Sequence, residues 1–295
     1  MKSAKKRAII IVIAFIVFFS IISGVYTNMV SLDGKQIAIL GDSIMSGYGN
    51  DDHSFDYYLK DYIDGATFIN NSMGGSTITE NTGNDKIVLI NQVKTLERNP
   101  DVIVLNGGAN DIFGYALGFL DNSKKLEIGS IDKEKKEVSD PNTVLGNLEN
   151  VFKEIKTKFP SAKICFTSIL LIDEDTISNI TKDESKKPDI RDRRDKFFEG
   201  VPILCEKYGV YYADLSDLFV GHNEIYRQPD WIHMTETGYK KVTPFLYEHL
   251  KKSLLGTQVK ENFGKTIYTM SELGYKLKIN YILGDGCCSY FKIWL

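Results

Sequence analysis

A chain of 295 residues with 43% hydrophobic and 25% charged residues has the balance of one large or two small globular domains, which excludes wholesale disorder. Its 36 Lys and Arg against 39 Asp and Glu leave a formal charge of -3, without the basic field that holds a nucleic-acid backbone, so nucleic acid is not an expected partner. Cys165, Cys205, Cys287 and Cys288 form neither C-x-x-C pairs nor Cys/His clusters, which argues against a zinc site or a disulfide framework and leaves stability to a core.

At the N-terminus, Lys2, Lys5, Lys6 and Arg7 precede the uncharged run AIIIVIAFIVFFSIISGV, 18 residues from Ala8 to Val25. At 1.5 Å rise per residue the run reaches about 27 Å, close to the ~30 Å hydrocarbon thickness of a bilayer. One N-terminal transmembrane helix is therefore expected. The basic cluster would stay cytoplasmic, placing the rest of the chain on the outer side of the cell membrane. A cleaved signal peptide, which would make the protein secreted, is the competing reading, with Ser20 and Ser23 the nearest small-residue pair. A buried core helix is a third. The expected organisation is a basic segment over 1–7, a signal anchor over 8–26, a linker over 27–34, a main domain over 35–256 and a tail over 257–295.

From Gln36 onward short apolar runs alternate with amphipathic stretches, the pattern of a parallel α/β sheet. Five strands are predicted: Ile37 to Leu40, Thr67 to Asn70, Val102 to Leu105, Ala162 to Ser168 and Val210 to Ala213. Val144, Leu145, Leu148, Val151, Phe152, Ile155 and Phe159 follow helical spacing, and less regular stripes follow Ser54, Lys86, Ile190 and Thr235. A three-layer α/β/α sandwich is the economical arrangement, with ligands beyond the carboxyl ends of the strands. Lys124 to Asp140 holds ten charged residues, five of each sign, and reads as a solvated insertion near the active-site rim or as a substrate-facing lid. Gln258 to Leu295 carries no stripe long enough to classify.

The chemistry collects where strands end. Gly41-Asp42-Ser43 follows the first strand, where a turn into a helix presents a hydroxyl and backbone N–H groups to a ligand. Taken alone, the tripeptide also fits a helix N-cap. The second strand runs into Asn70-Asn71-Ser72-Met73-Gly74-Gly75-Ser76-Thr77 and the third into Asn106-Gly107-Gly108-Ala109-Asn110-Asp111. Beyond the last strand, Asp230-Trp231-Ile232-His233 places a carboxylate three residues before an imidazole.

These four blocks, in this order over residues 41–233, resemble the SGNH, or GDSL-type, hydrolase superfamily. The resemblance implies a flavodoxin-like fold, with Ser43 as nucleophile, His233 as base and Asp230 as its acid partner. It implies an oxyanion hole of Ser43 N–H, Gly75 N–H and the Asn110 amide, with Gly74 the adjacent alternative to Gly75. Ile44 stands where Leu is common after the serine. The implied reaction is acyl transfer from a small ester or acylated glycan to water, with no cofactor and no metal, because a base activates the nucleophile. An O-acyltransferase acting on surface glycans and a catalytically silent glycan-binding module are the rivals.

The remaining candidates have plainer readings. His53 is expected to be an exposed loop residue, and His222 and His249 to lack an acidic orienter. Cys165 and Cys205 read as small buried hydrophobes. Trp231 either walls the pocket or packs the turn.

Overall fold

A computed structural model describes residues 31–79, 87–168, 174–219, 221–226 and 230–271 of the chain. The run from Ala8 to Val25 lies outside them, as do Cys287 and Cys288. Among the described residues no helix is long and apolar enough to cross a membrane. The chain divides into two compact units, Met1–Leu254 and Leu255–Leu295.

Five parallel strands form the central sheet: β1 (Gln36–Leu40), β2 (Thr67–Asn70), β3 (Val102–Leu105), β6 (Lys163–Thr167) and β7 (Tyr211–Ala213). Their order is β2-β1-β3-β6-β7. Every residue of β3, and Ile37 to Leu40 of β1, is buried. Side chains alternate between faces along a strand, so unbroken burial means that both faces are covered. This explains why the strands read as continuous apolar runs, and the predicted boundaries fall within one residue of those observed.

Helices supply the covers. Ser54 leads into α2 (Phe55–Leu59), whose Phe55 and Tyr58 rings pack 5.1 and 5.8 Å from Tyr239 of α8 (Glu236–Ser271). Another group comprises α3 (Leu89–Thr95), α5 (Val144–Lys158) and α7 (Lys187–Tyr208). In α5 the predicted stripe is buried, and Thr143 caps the helix by accepting the Gly146 N–H at 3.2 Å. The last helix continues to Ser271, beyond the end of the legible stripe. Extending a formed helix needs no new nucleus, so residues 258–271 need no apolar stripe of their own to be helical.

The charged insertion contains a short antiparallel hairpin, β4 (Ile131–Asp132) with β5 (Glu137–Val138). Its lysines stay near the surface, yet it is pinned along α7 by Lys125–Asp189, Lys133–Glu199 and Lys136–Glu206 pairs at 2.6, 2.6 and 2.7 Å. Exposed pairs of this kind contribute little, so the buried Ile128 is the stronger anchor.

Candidate active site

The strand order reverses at β1: the chain leaves β1 for β2 on one side and later enters β3 on the other. Such a switch point opens a crevice beyond the carboxyl ends of the strands. Gly41, Asp42 and Ser43 stand at its edge. Gly41 has φ +154, and a Cβ there would lie 2.6 Å from Met45 Cγ and 2.9 Å from the Asn106 carbonyl oxygen, so this backbone must be bare. Asp42 caps the four-residue helix α1 (Ser43–Ser46) by accepting the Ile44 N–H at 3.0 Å. The cap and the candidate nucleophile are thus adjacent residues rather than alternatives. Tyr239 donates its hydroxyl to the Ile44 carbonyl at 2.5 Å, tying α1 to α8.

Although 190 residues separate them, His233 Nε2 lies 2.9 Å from Ser43 Oγ. On the far side of the ring, Nδ1 lies 2.9 Å from Asp230 Oδ2. The other carboxylate oxygen accepts the Ile232 and His233 N–H groups at 2.9 and 3.0 Å, closing a turn in which Trp231 takes φ +56. A non-glycine residue in that region is strained and must be held there by its surroundings. Trp231 is partly buried and packs against the core. Tyr48, 53% exposed, sets its ring 4.6 Å from that of His233.

The carboxylates of the site differ in environment. Burial by itself would raise the Asp230 carboxyl, but the two N–H bonds and the His233 ring outweigh it and hold its pKa below the ordinary value. Asp42 is opposite: burial pushes it up to about 6, against the Ile44 N–H and the attraction of His233, and its Oδ2 has no hydrogen-bond partner. Asp111 is likewise raised by burial, offset in part by the Ile78 and Thr79 N–H groups and the Thr79 hydroxyl.

The loops after β2 and β3 complete the crevice. A Cβ on Gly74 would lie 4.0 Å from Ser43 Cβ, so this glycine, too, borders the serine. Gly75 adopts φ +76. Asn110 Nδ2 donates to the Ser76 carbonyl at 2.8 Å, which leaves its second amide hydrogen for another acceptor. Among the described residues no acceptor meets the N–H of Ser43 or of Gly75.

Two buried side chains support these loops, and neither is among the sequence-predicted site residues. Gln92 of α3, 1% exposed, binds Gly41 and Ser76. Arg193 of α7, also 1% exposed, donates from Nε and Nη2 to the Asp111 carbonyl at 3.0 and 2.7 Å. Each is a polar residue set within a helix's apolar face, between Leu89 and Val93 or between Ile190 and Phe197. That interruption is the signal by which sequence could have found them.

The other histidines lie in different settings. His53 stacks on Tyr57 at 3.9 Å and is exposed, as expected. His222 departs from expectation, because Glu224 two residues on lies 3.0 Å from its Nδ1; Lys241 Nζ, 2.8 Å from the same nitrogen, shares that carboxylate. His249 Nδ1 meets the Tyr211 hydroxyl at 3.0 Å. Cys165 and Cys205 are buried free thiols, pushed up by desolvation. Among the described residues no three His, Cys, Asp or Glu side chains gather as a metal site requires.

The fold belongs to the class of α/β proteins that work at a strand-end crevice, here containing a serine, a histidine and a carboxylate in one hydrogen-bonded line. Residues 39–241 match the GDSL-like Lipase/Acylhydrolase family, and the chain belongs to that family of ester hydrolases. Solved structures share the fold. A structural-genomics protein from Lactobacillus plantarum superposes with a TM-score of 0.56 at 19% identity, covering 75% of this chain and 98% of that one. A candidate GDSL-like lipase from Parabacteroides merdae gives a TM-score of 0.50 at 15% identity, covering 75% and 97%. No curated protein matches by sequence.

Proposed function

We propose that the protein is a membrane-anchored serine esterase that removes small O-acyl groups, such as acetyl esters of a surface carbohydrate, outside the cytoplasmic membrane. The observation that carries the chemical part is the unbroken line from Asp230 Oδ2 through His233 to Ser43 Oγ, with both contacts at 2.9 Å. Neutral His233, holding its proton on Nδ1 against Asp230, takes the Ser43 hydroxyl proton on Nε2 as Oγ attacks the ester carbonyl. The oxyanion is received by Ser43 N–H, Gly75 N–H and the Asn110 amide. His233 returns the proton to the leaving alkoxide. Water then repeats the sequence on the acyl-enzyme, losing its proton to His233 and releasing the acid. The location rests on the basic cluster and the 18-residue uncharged run that follows it, and motivates the surface-carbohydrate substrate.

A fluorophosphonate should label one peptide, that containing Ser43, and abolish hydrolysis, and Ser43→Ala should lose both label and activity. A labelled protein that keeps its activity, or an active Ser43→Ala variant, would overturn the assignment. For the location, the full chain should stay in the membrane pellet after a carbonate wash with its catalytic domain open to external protease. Recovery of a shortened protein in the medium would overturn the anchor.

A further inference from the structure

The end of β1 presents a problem in backbone accounting. Up to Leu40 the peptide groups are served by neighbouring strands and their continuations, with Asn71 N–H donating to Ile39 and Asn106 N–H to Leu40. Beyond that point the β2 side still serves the Gly41 carbonyl through the Met73 N–H, but the buried Gly41 N–H meets no neighbouring strand. A side chain takes up that N–H and bonds the carbonyl as well. Gln92 Oε1 accepts the Gly41 N–H at 2.8 Å, and Gln92 Nε2 donates to the Gly41 carbonyl at 2.8 Å, a closed amide-to-peptide pair resembling one more rung of the sheet. The same Nε2 donates to Ser76 Oγ at 2.9 Å, so both amide hydrogens are committed.

From there the network reaches the other two loops. The Ser76 carbonyl accepts Asn110 Nδ2 at 2.8 Å, and Met73 N–H donates to the Gly41 carbonyl at 3.0 Å. The loop bearing Ser43, that bearing Gly75 and that bearing Asn110 thus share one connected set of bonds with Gln92 at its node. We infer that Gln92 is a positioning residue of the ester hydrolysis: by clamping Gly41 to Ser76 it fixes the spacing between the Ser43 N–H, the Gly75 N–H and the Asn110 amide. The inference rests on the proposed oxyanion hole. Donors held at fixed separation stabilise charge that exists only in the tetrahedral state, so the clamp acts on turnover more than on substrate binding.

Gln92→Met keeps length and burial while removing all three bonds. In the full-length protein its kcat should fall about 10–100-fold with KM within about threefold, and its inhibition constant for an alkyl boronic acid, a tetrahedral adduct former on serine, should rise by a similar factor. Gln92→Glu keeps the Gly41 N–H acceptor and, held neutral by burial, donates one bond in place of two, and should fall between Met and wild type. Ser76→Ala breaks one link, and its loss should be less than additive with that of Gln92→Met. If Gln92→Met does not fold, the Glu and Ser76→Ala variants carry the test by the same kcat, KM and boronic-acid measurements. Wild-type kcat and boronic-acid affinity in a folded Gln92 variant would overturn the inference, as would a loss confined to KM. Activity surviving in Ser43→Ala would instead overturn the nucleophile assignment, so the two failures are distinguishable.

Discussion

Replacing Asp42 by Asn should make the protein more stable at neutral pH and leave it nearly unchanged in acid. The folded carboxyl sits at about 6 against 3.8 for an exposed aspartate, because burial penalises its charge and Oδ2 has no partner. Between those two values the native state holds a proton that the unfolded chain has released. Stability contributed by this group is therefore present at low pH and is lost as pH rises toward and through about 6, the reverse of a salt-bridged aspartate. The displacement from 3.8 to about 6 corresponds to about 3 kcal/mol by pH 7. Asn keeps an oxygen for the Ile44 N–H and does not ionise, and a neutral amide is cheaper to bury than a carboxylate. Urea unfolding of both proteins at pH 4, 5, 6, 7 and 8, in mild detergent and with m compared throughout, should give a stability difference that grows with pH in favour of Asn. Titrating groups that do not interact with Asp42 cancel in that difference, whereas His233 and Asp111 remain coupled to it. A difference flat to within about 0.5 kcal/mol, or one that grows in the opposite direction, would refute the reasoning.

Three further outcomes are expected. Asn110→Ala should lower kcat by about 10²–10³-fold with little change in KM; freeing the Ser76 carbonyl will also cost some stability, so melting and single-turnover rates must be measured on one preparation, and normal chemistry in its folded fraction would remove Asn110 from the oxyanion hole. Asp230→Asn should reduce turnover by up to ~10⁴-fold while near-ultraviolet circular dichroism stays native, and unchanged turnover would dismiss the carboxylate from the relay. Gly108→Ala should destabilise by about 2–4 kcal/mol, because Gly108 has φ +101 and a Cβ would sit 2.3 Å from Phe197 Cζ; an unchanged urea midpoint would contradict this.

Much of the scaffold is legible because burial on both faces leaves no room for polar residues. Val102 to Leu105 is an unbroken apolar tetrapeptide for that reason, and Ile37 to Leu40 likewise. The meeting of Ser43 with His233 is legible from the family resemblance; topology places Ser43 at the carboxyl end of β1, whereas His233 lies 20 residues beyond the last strand. The hairpin of β4 and β5 is not. Each strand contributes two residues, too few to show a period of two, and what holds the segment is in α7, about 60 to 70 residues away by number, where the Lys125, Lys133 and Lys136 partners lie. The setting of His222 is hidden for a related reason: Glu224 is two residues away, but the Lys241 that shares its carboxylate lies 19 residues on.

Gln92 and Arg193 mark a sharper boundary to what a pattern reveals. Apolar periodicity finds α3 and α7 by tolerating one polar residue in each stripe, and so passes over the residues that the stripe cannot explain. A buried polar group is costly without partners. Its place in an apolar face therefore states that partners exist without saying where. For Gln92 they lie 51 residues back in the Gly41 turn and 16 back at Ser76; for Arg193 they lie 82 residues back at Asp111. Both side chains reach backbone beyond the strand ends: Gln92 takes up the Gly41 N–H, which no neighbouring strand meets, and Arg193 the Asp111 carbonyl in the helical turn after β3. The polar interruptions on the two helices and the reactive loops above the sheet are consequences of the same geometry, since every strand that ends early enough to form a site leaves backbone that another element must satisfy.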